Sequence, residues 1–311
     1  MNYISYINSV ISDEVSKREK IVLFGQNISA GSCISGFTRG LKPGERSMII
    51  NTPNVENTQT GVGFGLMLGG VSSVFFVKQL DFMLLGMDHI VNTYNLIRKD
   101  VPKASFTIMP VVVDSGYEGP QSSCNHLSDF CSISHVDGFT ITNKHDADYL
   151  LKNEMFRPGF RIISISQRLF KTNIIEFDKE AEAMEGGRMY KYLSGNDALV
   201  VCFNFSLPQG LDLCNSLQKK KIDCSLISIN TLLPFAWDKV LEVAGKTNRK
   251  VIILDDSKSA NVSSMALRCS LLENGCVDKM LYLKREFSEE WFIPNPDSFV
   301  INHDHVINYL F

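Results

Sequence analysis

Few side chains in this chain stand where a reaction would need them. Glu56 closes the run Thr52-Pro53-Asn54-Val55-Glu56, between the end of one strand and the start of a helix. Taken alone, a carboxylate there reads as a helix N-terminal residue favoured by the macrodipole. Phe82 sits at a later strand-to-helix junction and alone reads as a packing aromatic, with Asp81 beside it as a helix cap. His126 opens another helical stretch, where the plain reading is a capping or surface histidine. His135 reads as structural, and His303 and His305 lack the carboxylate or cysteine spacing of a metal site. Gly31, Gly36, Gly61, Gly63 and Gly65 hint at a phosphate cradle. However, no Gly-x-Gly-x-x-Gly follows a strand in the right place, and no Gly-x-x-x-x-Gly-Lys-Ser/Thr occurs.

The elements that must position these residues alternate in type. Short apolar runs predict strands over 21–24, 47–51, 74–77, 107–113, 138–142 and 161–166. Helical spacing fits 60–70, 82–98, 126–134 and 146–154, with apolar residues of the second at 83, 84, 87, 90, 91 and 94. Pro53 stops the second strand, because proline cannot donate to a ladder. A charged, helix-prone stretch over 171–192, with Gly186-Gly187 inside it, marks the domain boundary. Beyond it the alternation resumes, with strands over 198–202, 224–229 and 250–254 and helices over 207–219, 235–244 and 262–272. Strands alternating with helices imply mostly parallel, doubly wound sheets, so the expected fold is two α/β domains, 1–180 and 190–311.

Bulk properties narrow the function class. The chain has 311 residues, 44% of them apolar and 21% charged, which is ordinary globular composition. A net charge of −3 and a pI near 6.1 give no electrostatic case for nucleic acid or an anionic membrane. No apolar run approaches the roughly 20 residues of a spanning helix, and residues 1–20 are too polar for a secretory signal. The eight cysteines, at 33, 124, 131, 202, 214, 224, 269 and 276, form no Cys-x-x-Cys pair. They read as buried thiols of a reducing compartment rather than disulfides or a zinc site. The expectation is a soluble cytoplasmic protein with no metal site of its own.

Several motifs acquire meaning together. Phe24-Gly25-Gln26-Asn27 and Thr38-Arg39-Gly40-Leu41 flank a loop rich in small residues. Thr52-Pro53-Asn54-Val55-Glu56, a glycine-spaced stretch from Gly61 to Gly70, Asp81-Phe82 and Asp88-His89-Ile90-Val91-Asn92 follow without a gap. Gly195-Asn196-Asp197, Asn230 to Pro234, and Ile253 to Asp256 punctuate the second half. In this order they resemble the beta subunit of the thiamine-diphosphate-dependent decarboxylating component of 2-oxo acid dehydrogenases, over nearly the whole chain. Transketolase and deoxyxylulose-phosphate synthase share the same two domains.

The resemblance implies a transketolase-like pyrimidine-binding domain followed by a transketolase C-terminal-like domain. It implies that Glu56 hydrogen-bonds a ring nitrogen of the thiamine aminopyrimidine and favours the imino tautomer, whose exocyclic nitrogen takes the thiazolium proton. It implies that Phe82 packs on the aminopyrimidine face. The family's substrate-handling histidine corresponds to Asn125, one residue before His126, so His126 serves with a one-residue shift, or Asn125 fills the place, or the role is lost. The 114–125 loop departs from the family at Gly119-Pro120-Gln121-Ser122-Ser123, which points to a specialised relative. The superfamily's Gly-Asp-Gly motif for the diphosphate and Mg2+, followed by a later Asn, is absent. An alpha-type partner subunit must then hold that half of the cofactor, in a heterotetramer of two alpha and two beta chains. The implied reaction is decarboxylation of a 2-oxo acid with acyl transfer to lipoyl or to an aldehyde or ketone acceptor. Ketol transfer between sugars, and a catalytically inactive structural or regulatory beta-like subunit, are the alternatives.

Overall fold

The computed structural model describes all residues except 101–102, 115–124, 178–180, 234–235, 258–261 and 286–298. The described chain divides into two compact units, Met1–Glu176 and a second beginning at Phe177.

The first unit opens with α1 (Tyr3–Ser16), capped by the Asn2 side chain, which accepts from the Ser5 amide at 2.9 Å. Its apolar face, with Tyr3, Ile7 and Ile11 buried, lies on the core, and the Tyr3 hydroxyl donates to the Ile141 carbonyl at 2.6 Å. Six strands follow: β1 (Ile21–Gly25), β2 (Met48–Asn51), β3 (Ser72–Val77), β4 (Ser105–Val112), β5 (Asp137–Ile141) and β6 (Gly159–Ser166). They pair in the order β5-β6-β4-β3-β1-β2, every pair parallel. The central strands β1, β3 and β4 are buried apart from Ser72 at the start of β3, as a sheet covered on both faces requires, whereas edge strand β2 leaves Met48 and Ile50 exposed. Beneath helix α2 (Glu56–Leu68), Phe64 packs with Phe106, Phe160 and Tyr94 at centroid distances of 5.0, 4.9 and 5.6 Å. Arg161 lies within this core at 1% exposure, and burial pulls its guanidinium down to about 10.

The continuous helix expected over 82–98 is broken. Leu80–Gly86 forms a 3-10 turn and His89–Thr93 a π-turn, leaving α-helical geometry at Met87 and Asp88 and over Tyr94–Ile97 (α3). Tertiary contact overrides the apolar spacing: Gly86 is drawn against α2, while Leu84 and Leu85 stay exposed. Helix α4 (Leu127–Ser134) matches its expected span, and α5 (Lys144–Tyr149) runs on into a π-turn over Leu150–Glu154.

The helix-prone 171–192 stretch holds a hairpin instead. β7 (Glu182–Met184) pairs antiparallel with β8 (Met189–Leu193), and Glu185, Gly186 and Gly187 carry the connection at φ of 47°, 67° and 85°. Three successive left-handed residues cannot belong to a right-handed helix. The second unit continues with β9 (Ala198–Phe203), α6 (Leu207–Lys219), β10 (Cys224–Ile229), β11 (Thr231–Leu233), α7 (Asp238–Lys246), β12 (Lys250–Asp255), α8 (Val262–Glu273), β13 (Lys279–Lys284) and α9 (His303–Leu310). Its sheet runs β13-β12-β9-β10-β8-β7, parallel as far as β10 and antiparallel beyond. The result is two α/β units with mostly parallel sheets. β13 and α9 escaped the sequence reading, and His303 and His305 lie on α9. At the carboxyl end of β12, buried Asp255 accepts from the Ser264 hydroxyl (2.6 Å), the Asn204 amide (2.7 Å) and the Ser257 hydroxyl (2.9 Å).

Among the described residues no helix is long and apolar enough to cross a membrane. The seven described cysteines are free, but only Cys131, Cys202, Cys214 and Cys224 are buried. Cys269 is exposed and Cys33 and Cys276 are half-buried, so the expectation of uniformly buried thiols fails for these three.

Candidate active site

The carboxyl ends of parallel strands are where an open α/β sheet leaves a crevice, and the singled-out residues of the first unit lie just beyond such ends. β2 stops at Asn51, and the Pro53 carbonyl accepts from the Gln59 side chain at 2.8 Å, folding the connection back onto α2. Glu56 is the first residue of α2, at the positive end of its dipole, and is only 6% exposed. Among the described residues its carboxylate makes no hydrogen bond and no ion pair. Its carbonyl is engaged, accepting the Thr60 hydroxyl at 2.7 Å. Little of the residue reaches solvent, and the carboxylate does not bond its own backbone.

The turn Leu80–Gly86, which follows β3, packs against the start of α2. Asn57 donates to the Leu85 carbonyl at 3.3 Å. A Cβ on Gly86 would lie 2.5 Å from the Thr60 hydroxyl oxygen and 3.4 Å from the Glu56 carbonyl oxygen, so only glycine permits this approach. Phe82, on the same turn, is half-buried. Asp81 is not the cap expected of it: Gln79 holds that position, and Asp81 is wholly buried in the first turn.

His126 immediately precedes α4, beyond the end of β4, with its side chain 31% exposed. Its Nε2 lies 3.9 Å from Asp81 Oδ1 and its Nδ1 3.3 Å from Asp129 Oδ2, so the ring sits between two carboxylates. Asn125 is buried, and its side-chain oxygen accepts the Leu127 amide at 3.2 Å, tying it to the start of α4. Residues 119–123, where the sequence departs from the resembling family, lie outside the described residues. Glu56 and Phe82 are thus brought to adjacent elements, and His126 joins them through Asp81. Asp81 is the residue that sequence reasoning undervalued; the signal was a carboxylate set between apolar neighbours in Leu80-Asp81-Phe82-Met83.

The loop after β1 is strained. Gly25 has φ 149°, and a Cβ there would run into the Phe76 carbonyl oxygen. Further on, Cys33, Ile34 and Ser35 take φ of 50°, 48° and 55° in succession. Each non-glycine residue in that region costs roughly 1–2 kcal/mol, and such strain concentrates at functional sites. Among the described residues no group of three His, Cys, Asp or Glu side chains is arranged to hold a metal ion.

The arrangement of mostly parallel sheets flanked by helices is one that known proteins share. Residues 187–280 match the transketolase C-terminal domain. The chain is 22% identical over 256 residues to the pyruvate dehydrogenase E1 component subunit beta of Rickettsia felis, covering 79% of this chain and 77% of that protein. It is 21% identical over 271 residues to the 2-oxoisovalerate dehydrogenase subunit beta of Bacillus subtilis, covering 85% and 82%. It is also 21% identical over 273 residues to the acetoin:2,6-dichlorophenolindophenol oxidoreductase subunit beta of Cupriavidus necator, covering 83% and 80%. A solved structure described as a split gene transketolase, inactive beta4 tetramer, superposes with a TM-score of 0.73 at 14% identity, over 98% of this chain and 95% of that one. The transketolase-like fold therefore extends over both units, and the sequence similarity is to beta subunits of 2-oxo acid dehydrogenases and of an acetoin oxidoreductase.

Proposed function

We propose that this chain is the beta-type subunit of a two-subunit thiamine-diphosphate enzyme that decarboxylates a 2-oxo acid and passes the acyl group to lipoyl or to an aldehyde or ketone acceptor. The observation that carries the reading is Glu56, a carboxylate 6% exposed at the head of α2 with no protein partner among the described residues. On this reading 1–180 is the pyrimidine-binding domain and 190–311 the transketolase C-terminal-like domain.

The residues present fit the aminopyrimidine half of the cofactor. Glu56 offers carboxylate oxygens to a ring nitrogen where little water competes, which strengthens a proton-sharing bond. Phe82, half-buried on the neighbouring turn, offers an apolar face. His126, set between the carboxylates of Asp129 and Asp81, holds or gives a proton to the substrate. When bound, thiamine diphosphate supplies a carbanion nucleophile and an electron sink. The diphosphate and Mg2+ fall to an alpha-type partner in a heterotetramer, since this chain lacks the motif for them. The cytoplasm suits the free thiols of Cys131, Cys202, Cys214 and Cys224.

The test is co-expression with the alpha-type partner, followed by assays for carbon dioxide release from a panel of 2-oxo acids and for ketol transfer between sugar phosphates. Carbon dioxide release supports the proposal. Transfer without it decides for the two-subunit transketolase, and neither activity in an assembled complex sinks the enzyme reading.

A further inference from the structure

We infer that a second site, a cavity at the carboxyl end of the first sheet, binds a small oxyanion, a carboxylate or phosphate group, with Lys78 as its cation. The cavity measures about 150 Å³ and is lined by residues that follow four adjacent strands: Gln26 and Asn27 after β1, Lys78 and Gln79 after β3, Val113 after β4 and Gln167 after β6. A single water takes about 30 Å³ of liquid, so the space admits a group of several non-hydrogen atoms. Its position is the crevice in which open parallel sheets hold their ligands.

The chemistry of the lining selects charge. Amide side chains and the hydroxyls of the β1 loop supply donors, Lys78 supplies a positive charge, and among the described residues no carboxylate lines the cavity. Amides and hydroxyls alone would accept neutral ligands; a cation facing no acid among the described residues turns the same set towards an anion. Lys78 is exposed and joins no ion pair among the described residues. The acid beside Gln167 is already engaged: Asp114 accepts the Ser166 hydroxyl at 2.6 Å and the Arg168 amide at 2.9 Å, and the Arg168 guanidinium lies 3.8 Å away.

The wall is also built at a conformational cost. Ile34 and Ser35, which line the cavity, belong to the left-handed run Cys33 to Ser35, and Asn27 has φ 56°. Backbone held this way against local preference is over-determined by its surroundings, as ligand-clamping loops are. The inference is independent of the thiamine reading and survives or fails without it.

The experiment is amide NMR on the purified full chain, titrated with sodium phosphate or sodium acetate against sodium chloride at constant ionic strength. Saturable shifts confined to the amides of 26–36 and 78–79 are expected, with Lys78→Met weakening binding roughly tenfold or more and Lys78→Arg largely preserving it. Tighter binding of phosphate assigns a phosphate group; tighter binding of acetate assigns a carboxylate. No saturable response to either anion, or equal affinity in wild type and Lys78→Met, overturns the inference. Because Lys78 is exposed, neither variant disturbs the core, and matched amide spectra without anion confirm it.

Discussion

Gly86 joins the Leu80–Gly86 turn to the head of α2, and a double-mutant cycle tests that junction. Its φ lies outside the left-handed region, so alanine is acceptable to the backbone and the penalty comes from space alone. The new methyl would sit 2.5 Å from Thr60 Oγ1, about an ångström inside ordinary contact, and 3.0 Å from Met83 Cε. Met83 is flexible and can yield. Thr60 cannot, because it is fully buried and its hydroxyl donates to the Glu56 carbonyl. Overpacking of this kind costs about 1–3 kcal/mol. Thr60→Ala alone loses one buried hydrogen bond and a methyl, about 1–2 kcal/mol. In Gly86→Ala/Thr60→Ala the clash is gone, so the pair should lose about 1–2 kcal/mol less than the sum of the singles. Urea denaturation with a constant slope measures all three variants. Additivity within about 0.5 kcal/mol would refute the steric account of how the turn and α2 meet.

Three further outcomes follow from individual sites. Ser35→Gly relieves roughly 1–2 kcal/mol of left-handed strain and adds about 0.5–1 kcal/mol of unfolded-state entropy, so it should be neutral or stabilising by up to ~1 kcal/mol in urea; a clear loss would mean the loop is not strained. Burial raises the Asp255 carboxyl above its usual range, only partly countered by bonds from Ser264 and Ser257. Its stabilising contribution is therefore full below an unfolded value of about 3.9 and fades as pH rises through the raised folded value. Wild-type stability should fall across that window relative to Asp255→Asn, and parallel pH profiles would contradict this. Arg161 is buried with no ion pair among the described residues, and its contacts are the Pro158 carbonyl at 2.8 Å and the Thr107 hydroxyl at 3.5 Å. Arg161→Met should be neutral or stabilising by up to ~2 kcal/mol, and a loss above ~3 kcal/mol would indicate a compensated charge.

Elements whose own pattern matched their surroundings were legible in the sequence. β10 and α6 fall on their expected residues, because a short apolar run between turns and an amphipathic stretch each had one way to bury its apolar face. The 82–98 segment had helical spacing, yet it mixes 3-10, α and π turns, with Gly86 packed close to Thr60. The 171–192 stretch had helical composition, and the left-handed residues at 185–187 made it a hairpin. In the candidate site Glu56 and Phe82 could be singled out from the ordered motifs around them, whereas the same motifs pointed to Asn125 and reached His126 only by a one-residue shift. Asp81 was not, since its meaning lies in a histidine beyond the next strand, a proximity that only the sheet order creates.

Glu56 remains the feature on which the functional account turns. The direct measurement is carbon dioxide release by the assembled two-subunit complex with Glu56→Gln, an isosteric change that removes the carboxylate charge. The account predicts a loss of roughly 100-fold or more in kcat, with assembly and unfolding midpoint unchanged. Equal turnover by wild type and Glu56→Gln would contradict it.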